Sequence, residues 1–293
     1  MSDRLPLSKQ LLYQAIALLI AFTVLFPIMW VVSLSLDPRD ISRPPDFRLI
    51  PPGASLKAYS EVLKQPTANP VTFAELAFNS LKLAAGVAVF SVFIGVFAAY
   101  SFSRFEFRGR RGLMLGVVTV LMLPSVATVA PLFVMLNRIN VDFASIEFNL
   151  RNSLWGVGLA LTSTALPFAI WNLKGYLDTI PKELEEAARI DGASLNQVFF
   201  LIVLPLAVPA LAVTGFLGFL SGWTEFVMSW QFLSNPKDFT LAMSLWNMTG
   251  QFSGDTPWSK FSAMALMVAL PVAVVYLVLQ RYIVGGLTVG SVK

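Results

Sequence analysis

Residues 181–192 hold a concentration of ionisable side chains that is unusual for so apolar a sequence. They contain four carboxylates and two basic side chains, a net charge of −2. The whole chain has no histidine and no cysteine, so these carboxylates lack the usual partners of nucleophilic catalysis and of zinc sites. We therefore predict no catalytic residue and no metal site, and we interpret the segment as a docking surface.

The pattern within residues 175–198 predicts a short helix, a break and a second helix. Pro181 suits the first turn of the first helix, where its missing N–H group costs nothing. Carboxylates follow, near the positive end of the helix dipole; they are Glu183, Glu185 and Glu186. Gly192 is predicted to end this helix in the left-handed conformation. Ser194 and Gln197 are predicted to form a capping box for the next helix.

The first of these helices has an apolar surface beside its charged one. Its apolar side chains are Leu184, Ala187, Ala188 and Ile190. One alternative is a helix lying on lipid, but an anionic helix suits anionic headgroups poorly. Docking on a protein is favoured, and such a helix would pass a rigid-body push into the membrane.

The composition predicts an all-α integral membrane protein. Of its 293 residues, 56% are hydrophobic and 13% are charged, against about 25% charged in soluble domains. Uncharged runs long enough to cross a bilayer predict six transmembrane helices in one domain, residues 1–293. The predicted spans are residues 11–36, 80–102, 113–136, 153–173, 200–224 and 261–281.

A short basic loop predicts the orientation. Residues 103–112 contain four arginines and one acid, Glu106, and short loops rich in arginine stay in the cytoplasm. Both termini and the loop 175–198 would then be cytoplasmic, in a multi-pass protein of the cell inner membrane. Taken alone, this basic loop could indicate binding of RNA or of lipid headgroups, but topology explains it. We predict membrane lipid around the spans and no binding of nucleic acid.

The interiors of the six runs contain no Asp, Glu, Lys, Arg or His. A secondary transporter or channel would need charged groups at depth or a filter-like ring, and a membrane enzyme would need the catalytic groups excluded above. No Gly-Lys pair exists to form a phosphate-binding loop. We expect the chain to bind no cofactor and to take its energy from another chain.

Two pairs of glycines predict close helix packing. They are Gly218 with Gly222 in the fifth span and Gly112 with Gly116 in the third. Proline interrupts most spans, and the sequence leaves open whether these kinks serve an internal path or are simply common in membrane helices.

One spaced motif resembles a known family. Glu186-Ala187-Ala188, three residues, Gly192, nine residues, Ile202, one residue and Leu204-Pro205 are similar to the EAA motif of binding-protein-dependent ABC importer permeases. The basic N-terminal tail, the six spans and Val284-Gly285-Gly286-Leu287-Thr288 resemble the smaller permease subunit of maltose-type carbohydrate importers, as does Asp191-Gly192-Ala193.

The resemblance implies a type I importer permease fold and import of a sugar, such as maltose, maltodextrin or trehalose, by alternating access. It implies a second homologous permease subunit, a dimer of ABC ATPase subunits that bind ATP and Mg, and an extracellular solute-binding protein. It also implies a set of residues that couple to the ATPase: Glu183, Glu186, Ala187, Ala188, Asp191 and Gly192.

Two further segments acquire roles from the resemblance. The loop before the sixth span would probe the binding protein and the sugar, through Trp246, Asn247, Gln251 and Phe252; the alternative is an interfacial aromatic belt. The tail at Gly285 and Gly286 would reach toward the ATPase; the alternative is a frayed terminus.

Overall fold

The computed structural model describes residues 6–41, 44, 48–143, 146–250 and 255–289. Contacts divide the chain into two compact units, residues 1–73 with 244–270 and residues 74–243 with 271–293. The prediction of a single domain stays a prediction.

The helices and strands follow one another as a series of long apolar helices with short ones between them. The helices are α1 Leu7–Leu36, α2 Lys57–Lys64, α3 Phe73–Arg104, α4 Arg110–Leu121, α5 Ser125–Asn137, α6 Leu154–Leu177, α7 Glu183–Ile190, α8 Leu195–Val198, α9 Leu204–Leu206, α10 Val208–Trp223, α11 Val227–Phe232, α12 Leu241–Asn247 and α13 Trp258–Val289. A π-helical turn, Phe199–Val203, joins α8 to α9, and a 3₁₀ turn spans Pro236–Asp238.

Four of these helices are long and apolar enough to cross a membrane by themselves: α1, α3, α6 and residues 258–282 of α13. Two bent pairs qualify as one span each, α4 with α5 at 103° and α8–α9 with α10 at 72°. Counting each pair once gives the six predicted spans. The breaks fall beside Pro124 and between Pro205 and Pro209, since proline lacks an N–H and clashes with the preceding turn.

A short antiparallel hairpin adds strands to the predicted all-helical fold. Strand β1, Asn140–Phe143, pairs with β2, Ile146–Asn149, so that Asn140 lies opposite Asn149 and Phe143 opposite Ile146. The hairpin connects α5 to α6, in the segment between the third and fourth predicted spans.

In the first unit, polar contacts join the segment after α1 to the start of α13. The Ser259 N–H donates to Asp40 Oδ1 at 2.7 Å, and the Ser259 hydroxyl donates to the Asp37 carbonyl. Lys260 forms an ion pair with Glu61 at 2.7 Å. The two Ser259 bonds connect residues 219 and 222 positions apart, and with the Lys260–Glu61 pair they fix where α13 begins.

In the second unit, α3, α6 and α10 supply most of the apolar core. One cluster joins Val96 and Tyr100 of α3 to Leu173 and Leu177 of α6 and to the chain around Phe199. A second cluster packs the other half of α3 and α6 against α11. Glu225 lies between α10 and α11. Its Oε1 accepts a hydrogen bond from the Met228 N–H at 2.6 Å, and this bond caps the start of α11.

The glycine pair of the fifth span packs as predicted. A Cβ atom at Gly222 would lie 2.6 Å from Ala84 Cα, and one at Gly218 would lie 3.0 Å from Ala88 Cα. Only glycine therefore lets α10 approach α3 this closely. The other pair, Gly112 and Gly116, has no atom within 4 Å of such a Cβ in the described part of the chain, so the packing predicted there is not observed within this chain.

Candidate docking site

The helix α7 ends as the sequence predicted. Gly192 has φ +91°, and its N–H donates to the Arg189 carbonyl at 3.1 Å while the Ala193 N–H donates to the Ala188 carbonyl at 2.9 Å. This pair of bonds is the Schellman motif, in which a left-handed residue satisfies the last carbonyls of a helix.

The next helix begins with the predicted capping box. The Gln197 N–H donates to Ser194 Oγ at 3.3 Å, and the Ser194 N–H donates to Gln197 Oε1 at 2.8 Å. From there the chain continues through α8, the π turn and α9 to the bend before α10. The turn at Gly192 therefore lies between two well-capped elements, which restricts how α7 moves relative to α8.

One side of α7 is exposed, and we call it the docking face. It consists of Glu183, Leu184, Glu186, Ala187, Ile190 and Asp191. Ile190 is 86% exposed and Leu184 is 45% exposed. Apolar side chains and carboxylates are therefore exposed together on this face. An exposed apolar patch rimmed by polar residues marks an interaction site.

The predicted coupling residues divide between the two sides of α7. Glu183, Glu186, Ala187, Asp191 and Gly192 are all exposed. Ala188 is half-buried and packs against the apolar cluster of α3 and α6, so it supports the helix from below. The contact of these residues with an ATPase stays a prediction.

Glu185 was predicted as part of the charged surface, and that prediction is wrong. Its side chain is buried under α7, where Glu185 Oε1 lies 2.5 Å from Arg104 Nε and Oε2 accepts a hydrogen bond from the Tyr100 hydroxyl at 3.1 Å. The two charged side chains are only 7% and 12% exposed. Glu185 points away from the docking face because it lies about 160° around the helix from Glu183 and from Ala187, which are near the centre of that face.

Arg104 is one of the four arginines that predict the orientation, and each nitrogen of its guanidinium donates a hydrogen bond here; the Nε bond is the one to Glu185. Its Nη2 donates to the Ile180 carbonyl at 3.0 Å, and its Nη1 donates to Ser103 Oγ at 3.0 Å. A signal was available in the sequence, since Arg104 ends an apolar span and Glu185 lies opposite the docking face. Sequence spacing could not pair them, because they lie 81 residues apart.

A neighbouring carboxylate extends this network. The Ser103 hydroxyl donates to Asp178 Oδ1 at 2.6 Å, and Lys174 Nζ lies 2.5 Å from Asp178 Oδ2. Burial raises the pKa of Asp178, but the hydrogen bonds from Lys174 and Ser103 outweigh it and hold the pKa below its usual value. Asp178 is therefore ionised at neutral pH, and it joins the end of α6 to the end of α3.

The two other predicted sites are described only in part. Trp246 and Asn247 are exposed at the end of α12, whereas Gln251 and Phe252 lie outside the described residues. The backbone of α13 is helical through Gly285 and Gly286 to Val289. The roles predicted for these six residues stay predictions.

A cavity of about 620 Å³ opens between α4, α6 and α10. Its wall includes Trp171, Asn172 and Tyr176 of α6, facing Pro209 and Val213 of α10. The Asn172 side-chain amide donates to Thr214 Oγ1 at 3.0 Å, so this polar group is partnered across the two helices. The sequence alone gave Asn172 no assignable role.

Comparisons with known proteins agree with this geometry. A family model described as "Binding-protein-dependent transport system inner membrane component" matches residues 91–288. The galactooligosaccharides transport system permease protein GanQ of Bacillus subtilis is 32% identical over 94% of each chain. The trehalose transport system permease protein SugB of Mycobacterium tuberculosis is 32% identical over 92% of each chain.

A solved structure shares the fold. A chain from the crystal structure of a bacterial ABC transporter involved in the import of the acidic polysaccharide alginate aligns with a TM-score of 0.76 and 23% identity, over 96% of this chain and 99% of that chain. The resemblance found in the spaced motif from Glu186 to Pro205 is confirmed at the level of the family. The chain belongs to the binding-protein-dependent transport system inner membrane components, the multi-pass permease subunits of ABC importers.

Proposed function

We propose that this chain is one of two homologous permease subunits of a sugar importer, and that α7 is the element through which a separate ATPase moves it. The observation that carries the proposal is the geometry of α7. An eight-residue helix presents an exposed apolar and acidic face, while a buried ion pair and a Schellman turn fix its other side and its end. Such a helix transmits a push instead of absorbing it.

The position of Arg104 supports a cytoplasmic docking face. Arg104 begins the arginine-rich loop 103–112, and it contacts Glu185 of α7 directly. The two segments therefore lie on the same side of the membrane, and arginine-rich short loops stay in the cytoplasm. The docking face would then meet a cytoplasmic partner, with both termini on the same side.

The partner supplies the energy in this proposal. The sequence contains no Gly-Lys pair for a phosphate-binding loop, and the interiors of its predicted spans contain no Asp, Glu, Lys, Arg or His for ion coupling. ATP and Mg would be bound by a dimer of ATPase subunits. A groove of the ATPase would receive the docking face, with its residues Leu184, Glu186 and Ile190.

The proposed cargo is a neutral oligosaccharide. The two relatives above are named for galactooligosaccharides and trehalose, and a third, from Thermococcus litoralis and 33% identical over 97% of each chain, for trehalose and maltose. A second solved structure, of a bacterial alginate ABC transporter in complex with an alginate pentasaccharide-bound periplasmic protein, shares the fold with a TM-score of 0.62 and 16% identity. By analogy, a solute-binding protein would deliver the sugar near Trp246 and Asn247, whose ring and amide suit C–H faces and hydroxyl groups.

Alternating access connects these parts. ATP binding would close the ATPase dimer and draw the α7 helices of the two permease subunits together. The permease helices would then tilt to an outward-open state. Hydrolysis would return it to the inward-open state. Such a population shift requires each partner to bind one state better than the other, and the docking face is where this preference would act.

Reconstitution tests the proposal. The chain is purified from its native membrane with whatever remains bound, placed in proteoliposomes with ATP inside, and supplied with its binding protein and labelled maltose, trehalose or a galactooligosaccharide outside. We expect an ATPase to co-purify and uptake of at least one sugar to require ATP and to resist ionophores. Uptake driven by an ion gradient alone would contradict the proposal, as would purification without a nucleotide-hydrolysing partner.

A further inference from the structure

We propose that Arg104 and Glu185 form a positioning joint through which displacement of α7 moves α3. This inference rests on the proposed docking of α7 on an ATPase. It adds to that proposal a specific route of transmission, because α3 is far from α7 in sequence and the joint connects them through side chains.

The joint differs from the other ion pairs in the described ranges. Both of its side chains are buried, at 7% and 12% exposure, whereas each other pair seen there has at least one partner that is 34% exposed or more. A buried charge that loses its partner stays desolvated and uncompensated. Arg104 and Glu185 are therefore expected to stay together when α7 moves.

The joint also fixes orientation, because each charged group makes several directional bonds. Arg104 donates to Glu185, to the Ile180 carbonyl before α7 and to Ser103 on its own helix. Glu185 accepts from Tyr100, one turn earlier in α3. These bonds hold the end of α3 to the middle and the beginning of α7, so that a rotation of α7 as well as a translation reaches α3.

The backbone also connects α7 to its neighbours in sequence, but these connections run to α6 and α8 and not to α3. Residues 178–182 connect α7 to α6, and the Gly192 turn connects it to α8. The α3 helix in turn packs backbone to backbone against α10 at Gly218 and Gly222. Movement that enters α3 through the joint would therefore reach the middle of the membrane along a helix that carries α10 with it.

Stability alone does not require a charged joint. Replacing a buried ion pair by apolar side chains of similar size is often neutral or stabilising, so a merely structural role would be met by such a replacement. A positioning role would not, because apolar contacts slide where the guanidinium and the carboxylate fix one geometry. The difference separates the two roles experimentally.

The test measures sugar uptake per ATP hydrolysed in proteoliposomes that contain the complete assembly. Arg104→Gln and Glu185→Gln are compared with Arg108→Gln and Glu106→Gln, the same changes at exposed positions of the adjoining loop. We expect both joint variants to keep the ATPase bound and hydrolysing while uptake per ATP falls about fivefold or more, and both controls to match the wild type. Joint variants that import as much sugar per ATP as the wild type overturn the inference.

A second variant keeps the inference testable if the single variants fold poorly. The double change Arg104→Met with Glu185→Leu removes both charges together and is expected to accumulate normally. We expect it to hydrolyse ATP with uptake reduced like that of the single variants; full coupling in this variant overturns the inference. A wild-type chain that binds no ATPase would instead contradict the proposed function, so the two failures are distinguishable.

Discussion

Gly192→Ala tests whether the turn after α7 must keep its shape. Gly192 has φ +91°, and a Cβ atom there would meet nothing within 4 Å in the described structure. Crowding therefore costs nothing, and the whole effect comes from the backbone. An L-residue pays about 1–2 kcal/mol in the left-handed region, which corresponds to an about 5–30-fold lower population of this turn.

The chain provides a matched control in Gly109→Ala. Gly109 has φ +87° and equally open surroundings, and it precedes α4 instead of joining α7 to α8. Both variants carry the same backbone strain, but only Gly192→Ala should release α7. Asparagine tolerates the left-handed conformation better than alanine, so Gly192→Asn should lie between alanine and the wild type.

The assay is sugar uptake per ATP by the reconstituted assembly, with co-purification of the ATPase as a second readout. We expect uptake to fall in the order Gly, Asn, Ala at position 192 and to remain unchanged in Gly109→Ala. Wild-type uptake by Gly192→Ala would refute the reasoning. An equal loss in Gly109→Ala would also refute it, because strain in either of the two loops would then suffice.

Three other predictions concern stability and assembly. Gly222→Ala should destabilise the chain, because overpacking against α3 costs about 1–3 kcal/mol and the better helix propensity of alanine returns about 0.5–1 kcal/mol. Gly215→Ala should not destabilise it, because its Cβ would lie 3.5 Å from the nearest atom. Equal denaturation midpoints for the two variants would contradict the close packing. Burial raises the pKa of Glu225 in spite of hydrogen bonds from the backbone. At pH values above this raised pKa the buried carboxylate is ionised and lowers the stability of the fold. Below the ordinary pKa of 4.5 the group is protonated in both the folded and the unfolded state, and this loss of stability disappears. Glu225→Gln should therefore raise the unfolding midpoint at pH 7 and leave it unchanged near pH 4, and a gain that is equal at both pH values would contradict this. Glu186→Lys should reduce co-purification of the ATPase whereas Glu106→Lys should not, and full recovery with the first variant would argue against the docking face.

The sequence predicted the spans and the C-terminal end of α7 because local rules decide them. The prediction for the other end is wrong: Pro181 was placed in the first turn, but it precedes the N-cap Lys182 of α7. Apolar length marked the six spans, and the prolines mark where two of them break. The left-handed turn at Gly192 and the capping box at Ser194 involve residues within five positions of one another, so that spacing alone identified both.

The sequence did not predict contacts that depend on how distant helices pack. The burial of Glu185 required α3 to end beneath α7. The glycine pair predicted that α10 packs closely on another helix, but it did not identify Ala84 and Ala88 of α3 as the partners. The β hairpin in residues 140–149 was missed because alternation over four residues is a weak signal beside long apolar runs. Ala188 matched the spaced motif, but the motif could not tell which side of α7 it occupies.

One labelling measurement tests most directly whether the docking face meets a cytoplasmic ATPase. The sequence has no cysteine, so Ile190→Cys provides a single thiol at a position that is 86% exposed. A membrane-impermeant maleimide is applied to right-side-out vesicles, to inside-out vesicles, and to inside-out vesicles stripped of the ATPase. We expect labelling only of the inside-out vesicles, slow with the ATPase bound and fast after its removal. Labelling from the outside, or a rate that does not change when the ATPase leaves, would contradict the account.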